Sequence, residues 1–251
     1  MFFQIFCQMK FVYKMEESKE QIELILSYFF DEEATPELHN QSYLLRQNLS
    51  SSIDGVGWFL GNIPFEKFTT YICAFECFKF RLTNFPEEFS PEVLESLMGF
   101  LFQHSLEILN DLPPNAVYEL CNTQVYLSIF IFPELCPTLL DSIFEYPDIL
   151  KFRFLASFCE ILILPTPQNV DRINIIKGTL DQINFYEKLF QHIPNGIEQR
   201  NSDAIATLSA FTRWSKNIDY LQNFDFINAI FSDTSEELAA SILNFIGSIA
   251  H

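Results

Sequence analysis

Six cysteines and four histidines are the side chains best equipped for chemistry in this chain of 251 residues. The cysteines are Cys7, Cys73, Cys77, Cys121, Cys136 and Cys159, and none forms a CxxC pair. Cys73 and Cys77 stand four apart, on one face of an expected helix, but no His or Cys pair follows at ligand spacing. They read as buried free thiols in a reducing compartment. None of His39, His104, His192 and His251 lies in HExxH or beside a Ser or Cys nucleophile in a recognised context. His104, inside an apolar helical pattern, reads as a residue at the core boundary. Gly55-Val56-Gly57 does not complete GxGxxG and follows no strand, so it reads as a loop into a short apolar segment over 58–60, not as a phosphate cradle. The expected class is therefore non-enzymatic, with no metal and no cofactor.

Charge points to binding. The net charge of -18 excludes a broad phosphate-binding surface. It fits a basic protein partner, or a nucleic acid held by a few basic residues in an acidic frame. The basic candidates for partner or RNA contact are Lys67, Lys79 and Arg81 along one helix, Arg172 and Lys177 on another, and Arg213 with Lys216. The plainer reading of Lys79 and Arg81 is a solvated helix end, and of Lys177 an exposed helix lysine.

Those side chains must be positioned by helices. Hydrophobic residues make up 49%, and 29 Phe against 7 Gly favour packed helices over turn-rich β structure. No segment alternates with period two. Helices are expected over 16–30, with Ile22, Leu24, Ile25 and Phe29 inward, and from Thr35-Pro36 to about Leu49. The next is expected over 64–81, with Phe65, Phe68, Ile72, Phe75 and Phe78 as its stripe. Ser90-Pro91 opens another. The stretch 116–144 reads as two helices broken at Phe132-Pro133, the second starting near Pro137, because proline cannot continue the first. An apolar helix over 147–164 and a long one over 168–192 follow, with Asn195-Gly196 as the break. Helices over 202–215, 220–231 and 236–249 finish the chain, the last behind a Thr234-to-Glu237 capping box.

About ten helices at roughly 35–45 residues per pair match the spacing of HEAT-type repeats. The expected fold is all-α, an α-solenoid of stacked antiparallel helical hairpins over 16–251. Residues 1–13 are apolar but interrupted by Gln4, Gln8 and Lys10, a poor signal peptide. Residues 1–15 read as a leader, with Met15 an alternative start. No apolar run reaches the roughly 18–20 residues of a bilayer span, so no membrane partner is expected.

Gln124, an apolar run, Phe132-Pro133-Glu134 and Pro137-Thr138-Leu139-Leu140-Asp141 together resemble the N-terminal signature region of the exportins, here over about 64–192. Those are karyopherins, nuclear transport receptors related to importin-β. Asn174-Ile175-Ile176-Lys177-Gly178-Thr179-Leu180, Trp214, and Phe224-Asp225-Phe226-Ile227-Asn228 are similar to the tRNA-exporting exportin-T branch. The resemblance implies HEAT repeats that bind the GTPase Ran in its GTP form and carry tRNA. It also implies contact with nucleoporins and shuttling between nucleus and cytoplasm. It singles out Lys177. Receptors of this family are several times longer, so the chain reads as their N-terminal part. It departs from the family at Glu119 and Cys121, where basic residues are usual, at Asp181 in place of an arginine, and at Cys136 near a missing tryptophan. The rivals are a generic helical-repeat interaction scaffold and another exportin with protein cargo.

Overall fold

The computed structural model describes residues 18–62, 64–165, 169–215 and 236–249. The leader 1–15, Cys7, the Thr166-Pro167 start, Lys216, the expected helix over 220–231 with Phe224 to Asn228, the cap residue Thr234, and His251 lie outside them. Twelve α-helices and no strand occur among the described residues. The chain divides into two compact units, Met1–Phe130 and Ile131–His251. Within each, helices pack on helices around an apolar core, the all-α arrangement expected of an α-solenoid. No helix among the described residues is long and apolar enough to cross a membrane.

The first unit holds α1 (Lys19–Ser27), α2 (Pro36–Ser50), α3 (Ile53–Asn62), α4 (Phe68–Asn84), α5 (Pro91–Ile108) and α6 (Pro114–Ile131). Ser18 and Gln21 close a capping box on α1, and Thr35 accepts from the Leu38 N–H at the start of α2, with Pro36 in the first turn. Ile22 and Leu26 of α1 are fully buried, whereas Leu24, expected inward, is 45% exposed. Phe68, expected in the stripe of α4, also faces out, while Ile72, Phe75 and Phe78 fill the core.

Two register observations fix how helices stack. Arg46 pairs with Glu76, Cys77 Sγ donates to the Leu49 carbonyl, and Arg81 donates to the Ser51 carbonyl. These contacts advance together along α2 and α4, so the two helices run the same way. The short connection 109–113 makes α5 and α6 an antiparallel pair, locked by Gln124 Nε2 donating to the Leu101 carbonyl at 3.2 Å.

α4 starts at Phe68, later than the expected residue 64, and the segment just before it is held by α1. Glu23 of α1 is 3% exposed. Its Oε2 accepts the backbone N–H groups of Glu66 and Lys67, each at 2.9 Å. A carboxylate here satisfies the two N–H groups just before the helix and complements its positive end. Glu23→Ala should lower stability by about 2 kcal/mol, read as a fall in the urea midpoint at unchanged slope.

The second unit holds α7 (Leu139–Phe144), α8 (Asp148–Ile163), α9 (Val170–Gln182), α10 (Phe185–Glu198), α11 (Ser202–Trp214) and α12 (Glu236–Ile249). Its core includes Phe152, Phe154, Phe158, Phe185 and Phe211. Asn201 donates to the Asp148 carbonyl and Thr207 to that of Phe152, so α8 and α11 run the same way.

Three expectations need correction. Gly55-Val56-Gly57 is not a loop but lies inside α3. The long helix over 168–192 is two helices, broken where Asn184 takes the left-handed conformation at φ 51°, a conformation Asn tolerates better than most residues. Asn195-Gly196 does not break the chain: α10 continues to Glu198, and the turn comes at Arg200, φ 55°. Gly196 is selected by packing, since a Cβ there would sit 2.6 Å from the Phe152 ring and from Ala204.

Candidate interaction surface

Each basic candidate among the described residues has a defined place, and most are held by their own unit. Lys67 precedes α4 and its Nζ donates to Ser27 Oγ at 3.2 Å. Lys79 Nζ lies 2.8 Å from Glu119 Oε2 on α6. Arg81 is not a solvated helix end. It is 3% exposed, pairs with Glu88, donates to the Ser51 carbonyl at 3.1 Å and lies 4.0 Å from the Phe85 ring centroid. The helix end is closed because Phe85 and the one-turn 3-10 segment Pro86–Glu88 fold back over it.

Arg172 donates from Nη2 to the Phe132 carbonyl at 2.7 Å and pairs with Glu134 at 2.5 Å. It thereby ties α9 to the segment just after α6. Lys177 differs: half-buried, it makes no ion pair among the described residues, and its Nζ lies 5.9 Å from the Trp214 ring. Burial lowers its pKa. Arg213 is exposed at the end of α11.

The five candidates are divided between the two units. Lys67, Lys79 and Arg81 belong to the first unit and Arg172 and Lys177 to the second. Carboxylates also hold Lys19, Arg46, Lys151, Arg153 and Lys188. Sequence reading found the cations but not their partners, several of which lie far away in sequence, as Glu76 does for Arg46, Glu119 for Lys79 and Asp203 for Arg153. Glu119, where the exportin pattern has basic residues, is one such partner, so that reversed charge is absorbed inside the first unit.

The thiol chemistry is muted. Cys73, Cys77 and Cys159 are buried, and burial pushes each thiol up to about 12. Cys77 donates to the Leu49 carbonyl at 3.4 Å. A thiol held protonated is a poor nucleophile and a poor metal ligand. Among the described residues, no three His, Cys, Asp or Glu side chains converge on one point.

His104 is a core residue, 6% exposed, stacked on Phe100 and against Tyr71, with Nδ1 3.4 Å from Glu107. Burial lowers its pKa, partly opposed by Glu107. The unfolded chain therefore binds a proton more readily than the folded one. His104's contribution to stability is complete above the ordinary histidine range and is lost as pH falls through the folded pKa. Urea unfolding at pH 7.5 and 5.5 should show a loss on acidification that His104→Phe reduces.

No family model matches the chain, and no curated protein matches it.

Proposed function

We propose that this chain is a helical-repeat binding module serving as the Ran-GTP-holding arm of a nuclear export receptor of the exportin type. The observation that carries the protein-binding half is the disposition of charge. Lys79, Arg81 and Arg172 are each neutralised by a carboxylate of their own unit, within a chain of net charge -18. What remains on the outside is predominantly acidic, which favours a partner with a basic surface and opposes a bare phosphate backbone. The receptor half rests on the ordered resemblance from Gln124 to Trp214, on an all-α framework. Within this reading tRNA is cargo of the assembled receptor, with Lys177 the contact offered here. Nucleoporin contact and shuttling between nucleus and cytoplasm belong to the same reading.

The test is a pull-down of Ran loaded with GTP or GDP, with and without tRNA, after circular dichroism has established a helical chain. Preference for the GTP form is the expected result, and a further gain with tRNA supports the tRNA-exporting branch. A folded chain indifferent to the nucleotide overturns the Ran reading. The acidic balance would then favour the second reading, a scaffold for another basic protein. Steeply salt-dependent binding of tRNA alone would contradict the assignment of charge made above.

A further inference from the structure

The start of α8, the last turns of α10 and the cap of α11 meet at Asp148. Its carboxylate accepts the Asn195 side-chain N–H at 3.0 Å and pairs with Lys151 at 2.8 Å, and its carbonyl accepts from Asn201 at 3.5 Å. The hydrogen bond from Lys151 holds the Asp148 carboxyl below the usual aspartate range, so it is charged at neutral pH. Asn195 is exposed, and Gly196 follows it.

Asparagine before glycine is chemically unstable. The glycine nitrogen attacks the asparagine Cγ, forming an N–C bond. The Cγ–Nδ2 bond breaks, and ammonia leaves with the proton of the glycine amide. Water then opens the five-membered imide at either carbonyl, leaving aspartate or isoaspartate. Glycine permits the approach because it has no Cβ. Within α10 the attack is held off. Helical geometry aims the Gly196 N–H back along the axis toward the preceding turn. Gly196 is buried where a Cβ would lie 2.6 Å from both the Phe152 ring and Ala204. Gln199 donates to the Asn195 carbonyl at 3.1 Å and Asn201 to that of Gly196 at 2.9 Å. The guard is local, however. Pro194 gives the preceding turn no N–H, and helix ends open at a lower free energy than the core.

We propose that Asn195-Gly196 is a site of spontaneous deamidation gated by α10: it converts when the last turns of the helix open, and the carboxylate left at position 195 then opposes their closing. In the closed helix the amide donates to Asp148. A carboxylate in its place loses that bond and sets two negative charges against each other. Isoaspartate also adds a methylene to the backbone, which disrupts the hydrogen-bond ladder on which the last turn depends. The change is one-way, and it marks chains whose second unit has opened at this corner.

Incubating the full chain at mildly alkaline pH, folded and in urea, and following the peptide that carries Asn195 by mass spectrometry tests the proposal. The unfolded chain should gain the amide-to-acid mass increment at Asn195, with isoaspartate among the products, and Asn195→Gln should not. The folded chain should convert roughly tenfold or more slowly, the effect of an opening cost of about 1.4 kcal/mol or more. Asp148→Ala, which removes the tie, should speed conversion of the folded chain roughly threefold or more and leave the rate in urea unchanged. Asn195→Asp should lower the urea midpoint, and by less in the Asp148→Ala background. Equal rates in the folded and unfolded chain overturn the proposal, as does an unfolded chain that gains no mass at Asn195. So does a folded rate that Asp148→Ala leaves unchanged, or an Asn195→Asp effect that is the same in both backgrounds.

Discussion

Arg81→Ala should lower the unfolding free energy of the chain by about 2–3 kcal/mol, the cost of removing a buried guanidinium that donates to a backbone carbonyl and to a carboxylate that itself stays in water. The guanidinium joins three parts of the first unit: the carboxylate of Glu88, the Ser51 carbonyl just past α2, and the ring of Phe85. Removing it leaves that carbonyl without its donor and opens a void against Phe85. Arg81→Lys should fall between wild type and alanine, because an ammonium cannot reproduce the planar fork or the stacking. Urea unfolding followed by circular dichroism is the measurement, with the slope unchanged so that the midpoint reports stability. A loss under 1 kcal/mol would show that the contacts of Arg81 are not those described.

The consequence for function is direct. A partner-binding defect in an Arg81 variant would report a loosened first unit before it reported a lost contact. Lys177 is the better probe. It makes no ion pair among the described residues and touches the unit through its stem and the Trp214 ring. Lys177→Gln should therefore cost no more than about 1 kcal/mol, leaving loss of Ran or tRNA binding interpretable as a lost contact.

Local pattern carried most of the fold. The Thr35-Pro36 start, the stop before Phe132-Pro133 and the apolar run of α8 all act through neighbours in sequence, and all appear where expected. What stayed hidden was decided between distant segments. Glu23 holds the segment before α4 from 43 residues away, and Lys79 finds Glu119 across a separation of 40. No periodicity encodes such pairs, so the cations looked available from sequence when the fold had already engaged them. The break at Asn184 was missed for a different reason. The apolar spacing continues through it, and only one residue changes conformation.

Glycine gave the plainest misreading, and it supplies a sharp test. Gly55 was expected to mark a loop, yet it sits in the first turn of α3 at a close approach to the end of α2. A Cβ there would lie 1.8 Å from the Leu49 carbonyl oxygen. The obstacle is backbone, and it cannot easily yield: Leu49 is fully buried and its carbonyl also accepts from Cys77 on α4. Gly55→Ala should cost at least about 3 kcal/mol, the upper end for overpacking. Gly61→Ala, in the same helix with nothing within 4 Å of its Cβ position, should instead gain about 0.5–1 kcal/mol from helix propensity. Opposite shifts in the urea midpoints are the expected outcome. Two equal, small effects would mean that 53–62 is the loop the glycines suggest, with α2 and α4 joined without a helix between them.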